Sequence, residues 1–187
     1  MNVTIGIDPG VKGAICILWC GGGIEVHAIP YIAKELNVEA LKAIVIGGRE
    51  YPRFPEWYAW IENARPMSRH GKKHIKCWHC GAGIDVPASE GVISVATFVG
   101  NARLIEGVLL GMGIDVTRVN PKDWQKVALP GVKGREALKR ESIKVAEDRF
   151  PGLNLFPTKR SRKKSDNISD AAHIAWFGSR CSAGGTA

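Results

Sequence analysis

The sequence has no uninterrupted apolar run approaching the roughly 18 residues that a bilayer span requires, so no transmembrane helix is expected. It also lacks an N-terminal basic region followed by an apolar block, the pattern of a secretory signal. Cysteine is scarce and odd in number, five in 187 residues, and only Cys77 and Cys80 are suggestively spaced. These absences argue against a secreted disulfide scaffold and predict a cytoplasmic protein in a reduced intracellular setting. No repeat or low-complexity segment is present, and 45% hydrophobic residues suffice for a substantial core rather than a disordered chain.

Acidic residues are in deficit, 18 against 26 Lys and Arg, and the resulting net charge of +8 favours an anionic partner, nucleic acid first. The deficit is concentrated. Between Glu62 and Asp85 there is no acid at all, while Arg65, Arg69, Lys72, Lys73 and Lys76 occur there with His70, His74 and His79. A second basic block, Lys159-Arg160-Ser161-Arg162-Lys163-Lys164, lies just before Asp166. Lys122 and Lys133 are further candidates for phosphate contact, or plain surface charge.

The remaining acids are placed with order. Val3, Ile5 and Ile7 alternate with Thr4, Gly6 and Asp8, the period of a strand, and Pro9-Gly10 stops it with Asp8 at its rim. Ala14 to Trp19 and Ile24 to Ile29 read as two more strands, joined by glycine turns into an antiparallel meander. A helix is expected over 34–46, a fourth strand at Trp57–Ile61 with Glu62 just past its end, and a long aperiodic stretch over 63–90. A long packing helix over 91–112, a strand at Val116–Val119, a short helix from Pro121 and a longer one over 135–150 follow. The last helix begins near Asp166 and puts Asp166 and Asp170, spaced i, i+4, on one face, with Ile168, Ala171, Ala172 and Ala175 towards the other. The small alanines would let this helix lie close to a sheet and bring Asp170 near the first strand. The order of elements predicts one α/β domain with a mixed sheet and packed helices over residues 1–178, an insertion at about 63–90, and a short tail over 179–187.

Asp8, Glu62 and Asp170 would thus converge from two strand ends and a facing helix. Repelling carboxylates on one face are unfavourable unless a cation lies between them. Hard oxygen donors of this kind suit Mg2+ or Mn2+, and two such ions can activate a water and stabilise the leaving oxygen of a phosphodiester. Helix capping is the competing explanation for Asp166, and turn closure for Asp8.

Three segments carry a family resemblance: Gly6-Ile7-Asp8-Pro9-Gly10, Trp60-Ile61-Glu62-Asn63-Ala64-Arg65-Pro66-Met67, and Ser169-Asp170-Ala171-Ala172-His173-Ile174-Ala175. In order and spacing they resemble the successive motifs of RuvC-type Holliday junction resolvases. Gly113-Ile114-Asp115-Val116-Thr117 and Val119-Asn120-Pro121-Lys122-Asp123-Trp124 resemble the strand and the P-x-x-W segment between them. The resemblance implies an RNase H-like mixed five-stranded sheet flanked by helices, a homodimer, and paired Mg2+-dependent nicks across a four-way DNA junction, in a bacterium, an archaeon or a phage-infected host. It makes Asp8, Glu62 and Asp170 metal ligands. The family often has an acid or a histidine three residues before the last aspartate. Here that residue is Asn167, so Asp166, one residue earlier, is assigned the fourth role, with Asn167 as an alternative neutral oxygen donor.

The insertion is the second departure. His74, Cys77, His79 and Cys80 form H-x2-C-x-H-C, half of a zinc site that His74, Cys77 and Cys80 would begin. The preferred reading is a basic loop that orders on DNA, with Trp78 available to stack on a base. Competing functions are a related metal nuclease cutting another branched DNA or an RNA–DNA hybrid, an inactive nucleic-acid-binding module, and an actin-like ATPase, for which the chain is short.

Overall fold

The computed structural model describes residues 2–10, 12–33, 35–47, 56–63, 72–76, 83–87, 92–158 and 160–182, with the backbone alone over 72–76, 83–87 and 92–98. The chain opens with the expected meander: β1 (Asn2–Asp8), β2 (Ala14–Leu18) and β3 (Ile24–Ala28), antiparallel throughout, with Ile7 opposite Ile15 and Cys16 opposite Val26. A small ribbon, β4 (Tyr31–Ile32) and β5 (Glu35–Leu36), precedes α1 (Val38–Ile46). The helix expected from residue 34 thus starts four residues later. Asn37 Oδ1 accepts the Ala40 N–H at 3.1 Å and caps it, and Gly47 ends it at φ 63°.

β6 (Glu56–Glu62) runs parallel to β1, with Ile7 beside Ile61, and includes Glu62 as its last residue. Inside the stretch expected to be aperiodic, β7 (Lys72–Lys76) and β8 (Gly83–Pro87) pair antiparallel. Two five-residue strands forming their own ribbon alternate too briefly to stand out in the sequence. α2 (Val92–Gly111), β9 (Asp115–Val119), α3 (Pro121–Ala128), α4 (Arg135–Arg149) and α5 (Asp166–Ser182) complete the order, with β9 parallel to β6. The main sheet runs β3-β2-β1-β6-β9, mixed and five-stranded as expected. α5 continues through Ser182, so 179–182 are helical rather than part of a loose tail. Phe177 and Cys181 pack with Trp60 and Trp124, which anchors that last turn. Among the described residues no helix is long and apolar enough to cross a membrane.

The alternation in β1 decides what each face of the sheet meets. Val3, Ile5 and Ile7, with Ile61 from β6, are buried with Leu41 of α1 and Ile105 and Leu109 of α2. On the opposite face Ala171, Ala172 and Ala175 of α5 pack with Ala14, Cys16 and Ala146. Gly6 marks where helix and strand touch: a Cβ there would stand 2.2 Å from both the Ala171 carbonyl oxygen and the Ala175 nitrogen. Gly178 plays the reciprocal part, its missing Cβ 2.2 Å from the Trp60 ring. Small residues on both partners therefore let α5 lie directly on the sheet, as the alanine spacing suggested. α2 has a second apolar edge, because Leu104 and Leu110 are 45% and 52% exposed while Ile105 is fully buried.

Candidate active site

Asp8 and Glu62 end adjacent parallel strands at the same end of the sheet. They lie one residue beyond the Ile7–Ile61 pair and share the face that carries Gly6 and Trp60. Ligand sites in such sheets collect beyond the carboxyl ends of the strands. Asp8 Oδ1 accepts the Gly10 N–H at 3.1 Å, which folds the turn back on the carboxylate. Gly13 completes that turn, where a Cβ would fall 1.9 Å from the Asp8 carbonyl oxygen. Glu62 Oε2 accepts the indole N–H of Trp124 at 2.9 Å. The strand end beyond it is pinned by the Asn63 N–H on the Val119 carbonyl at 2.8 Å and the Asn63 amide on Asn120 Oδ1 at 3.3 Å.

Asp170 arrives from α5 above these strand ends, where Ser142 Oγ of α4 donates to its Oδ1 at 2.6 Å. Ser169 Oγ lies 2.8 Å from Ser142 Oγ. Behind them His173 is fully buried: its Nε2 sits 2.9 Å from the Ser142 carbonyl and its Nδ1 3.0 Å from the Arg149 guanidinium. Because arginine can only donate, Nδ1 accepts and the Nε2–H donates to Ser142, which sets the tautomer. Burial lowers the His173 pKa to about 4, and Arg149 acts in the same direction against the Ser142 hydrogen bond, so the ring is neutral. It also stacks on Trp124, centroids 6.1 Å apart and planes at 23°. One neutral imidazole thus backs the donor to Glu62 and the helix segment that donates to Asp170.

The electrostatics mark the three acids as a cluster. Burial pushes Asp8 up to about 6, opposed by the Gly10 hydrogen bond and reinforced by Asp166. Burial pushes Glu62 up to about 7, reinforced by Asp8 and opposed by Trp124. Asp170 goes highest, to about 8, through burial against the Ser142 hydrogen bond, with Asp8, Glu62 and Asp166 all adding repulsion. Asp166, at the first turn of α5, forms an ion pair with Lys139 at 2.9 Å. Asn167 turns away from it and donates to the Lys12 carbonyl at 2.7 Å. Of the two residues left open by the sequence, Asp166 is the one whose charge reaches Asp8 and Asp170.

Among the described residues no three acidic, histidine or cysteine side chains close tightly enough to enclose one ion as they stand. The donor chemistry nonetheless fits a hard divalent cation. Asp8, Glu62 and Asp170 each commit one oxygen to a protein donor, and their shared repulsion is what a cation would relieve. Lys139, Ser142 and Arg149 had no distinguishing local signal, since they reach the site only when α4 packs on α5, whereas His173 stood in the third resembling segment. Trp124 stood in the P-x-x-W segment, but its bond to Glu62 spans 62 residues of sequence.

The basic candidates are spread unevenly. Lys72, Lys73 and Lys76 lie on β7, while Arg65, Arg69 and Lys159 are outside the described residues. Arg160, Arg162 and Lys163 are exposed just before α5, Lys164 pairs with Glu147, and Lys133 is exposed in the α3–α4 connection. For zinc, His74 falls on β7 opposite Asp85, and Cys77 and Cys80 lie outside the described residues with His70, Trp78 and His79.

No family model and no curated protein matches the chain by sequence. Solved structures do match by shape. The RuvC of T. thermophilus in complex with a Holliday junction substrate aligns over 100% of this chain and 98% of its own, with a TM-score of 0.56 and 17% identity. A second Thermus thermophilus RuvC structure aligns over 97% of this chain and 96% of its own, with a TM-score of 0.50 and 17% identity. At that identity the likeness is one of fold: the chain has the RNase H-like fold of these junction resolvases.

Proposed function

We propose that the chain is a metal-dependent endonuclease that resolves four-way DNA junctions by paired hydrolysis, acting as an intracellular homodimer. The observation that carries this reading is the cluster of Asp8, Glu62 and Asp170 at the carboxyl ends of β1 and β6 on a RuvC-like fold, three partly buried carboxylates whose pKa values desolvation raises, with Asp8 adding to the shift of Glu62 and both adding to that of Asp170. Among the described residues no cationic side chain pairs with these three, and their partial burial is a folding cost that a bound cation would relieve. Asp8, Glu62 and Asp170, with Asp166 at the rim, would hold two Mg2+ or Mn2+ ions, which supply the charge that activates water and stabilises the departing oxygen.

The chain's own groups set the geometry. Trp124 and Ser142 each take one carboxylate oxygen and leave the other to face the site. The neutral His173 keeps both donors in place without adding charge of its own. Arg160, Arg162 and Lys163 lie shortly before Asp166 in sequence and would contact phosphates flanking the cut. The exposed edge of α2, with Leu104 and Leu110, is the proposed dimer surface. Ile105 is unsuited to test it, because it is buried in the core of its own chain.

The decisive experiment is cleavage of a synthetic four-way DNA junction with Mg2+ or Mn2+, beside duplex, flap and RNA–DNA hybrid controls, by wild type and Asp8→Asn. Symmetric paired nicks that vanish in Asp8→Asn while junction binding survives are expected. Binding without cleavage in either metal would make the protein a binding module. Preferential cutting of a control would keep the nuclease and discard the junction.

A further inference from the structure

The helical layer packs fully on β1 and β2 and reaches β3, the edge strand of the sheet, through the half-buried Ile24 and Val26. There a groove of about 400 Å³ opens between β3, the 152–158 loop and the residues leading into α5. Its apolar wall includes Val26 of β3, Leu153 and Phe156, and its polar residues include Lys12, Asn154 and Thr158. The volume is in the range of small-molecule sites, roughly 300–1,000 Å³, far below what a duplex would need.

Three features point to the same kind of occupant. The groove shares its rim with the carboxylate centre, because Lys12 lies in the turn after Asp8 and Ser165, another lining residue, directly precedes Asp166. The Asn167 amide is tied to the Lys12 carbonyl, which fixes that shared rim. Arg160, Arg162 and Lys163, exposed cations suited to a phosphate backbone, lie in the chain between the lining residues Thr158 and Ser165. Its lining offers an exposed aromatic ring, Phe156, beside an amide whose donor capacity is intact: Asn154 Oδ1 accepts the Phe156 N–H at 3.1 Å, so the amide nitrogen still has its two hydrogens to give. Phosphate-binding charge outside, an aromatic face and an amide donor within are what a single unpaired nucleobase needs.

We propose that this groove receives one nucleobase of the DNA substrate, unstacked next to the cut, and so couples cleavage to an unpaired nucleotide at a fixed distance from the carboxylate centre. The proposal rests on the nuclease reading above and adds to it a site on the opposite side of the Asp8 turn from Glu62. An amide donor favours bases that present a carbonyl oxygen, thymine, cytosine or guanine, over adenine.

The test is a series of four-way DNA junctions in which each nucleotide around the branch is replaced in turn by an abasic site. Affinity is measured by fluorescence anisotropy without divalent metal, for wild type, Phe156→Ala and the blocking variant Thr158→Trp. Both positions are exposed, so both variants are expected to fold. One abasic position should weaken wild-type binding about 5- to 50-fold, the scale of one base–aromatic contact. At that same position the two variants should show no further loss, while they bind the intact junction as weakly as wild type binds the abasic one. If the variants bind the intact junction like wild type, or lose affinity equally for every abasic position, the groove does not hold a base. A gain of protein binding elsewhere with no effect on DNA would assign the groove to a protein partner and overturn the proposal. Wild-type cleavage of the intact junction, run in parallel with Mg2+, separates the two levels: its absence sinks the nuclease reading itself, whereas its presence with unaltered variants sinks only the groove.

Discussion

Asp170→Asn should make the metal-free protein more stable at alkaline pH while destroying activity. The side chain keeps an oxygen to accept from Ser142, so the substitution removes charge and little else. In the fold Asp170 titrates near 8, against an ordinary 3.8, so between these values the folded chain holds a proton that the unfolded chain has released. The unfolded state then binds fewer protons, and stability falls as pH rises. It is fully present below about 4 and lost progressively as pH approaches 8. At about 1.4 kcal/mol per pH unit the loss reaches a ceiling of about 5 kcal/mol by pH 8. Repulsion from Asp8, Glu62 and Asp166 is shared among the four acids, which leaves ~2–3 kcal/mol to Asp170 alone. For a chain of this size that is a rise in Tm of roughly 5–10 °C at pH 8, shrinking to a few degrees at pH 5. Differential scanning fluorimetry in EDTA at the two pH values reads it directly. Adding Mg2+ at pH 8 should raise the wild-type Tm and leave Asp170→Asn nearly unmoved. A lower Tm for Asp170→Asn at pH 8, or a difference that does not depend on pH, would refute the claim that burial, reinforced by its acidic neighbours, keeps the Asp170 carboxyl protonated in the folded chain.

Other substitutions probe separate parts of the reasoning. Trp124→Phe keeps the ring but removes the donor to Glu62, so junction cleavage should fall about 10- to 100-fold, the worth of one hydrogen bond to a charged group, with circular dichroism unchanged. His173→Ala should slow cleavage and also lower Tm by several degrees, since it opens a cavity under Trp124 and takes the imidazole hydrogen bond from the Ser142 carbonyl; unchanged kinetics would show that Glu62 and Asp170 need no such support. Gly6→Ala should destabilise by about 3 kcal/mol or more, because its methyl would collide with backbone rather than with a yielding side chain; chemical denaturation with no change in midpoint would contradict the close approach of α5 to β1. For the proposed homodimer, Leu110→Arg should leave a folded monomer in analytical ultracentrifugation; a variant that stays dimeric would move the interface off α2, and a monomeric wild type would refute the dimer itself.

Local chemistry made much of the fold legible. The period of two in Val3, Ile5 and Ile7, the glycine turns of the meander and the Gly47 end of α1 are short-range effects, and the corresponding elements lie close to where those patterns place them. Where the reading slipped, a short-range competitor was responsible. The Asn37 cap outweighed the apolar stripe that seemed to begin at Lys34, and the brief β7–β8 ribbon left no period to detect. At the C-terminus, Phe177 and Cys181 hold α5 against Trp60 and Trp124, contacts that no local pattern announces.

The candidate site divides in the same way. Residue types, order and the i, i+4 spacing of Asp166 and Asp170 were enough to name the acids and to suggest a cation among them, because ionic repulsion on one helix face is a local cost. What only the tertiary structure decided is which groups support them. Packing of α5 onto Gly6 brings Asp170 to the ends of β1 and β6, and packing of α4 onto α5 delivers Ser142, Lys139 and Arg149. Asp166 and Asn167, neighbours in the chain, were separated by the fold into a charge that reaches the cluster and an amide bound to the Lys12 carbonyl. The physical reason is that a carboxylate's charge is written in its residue type, whereas its pKa and hydrogen-bond partner depend on burial and on side chains that only folding brings within reach.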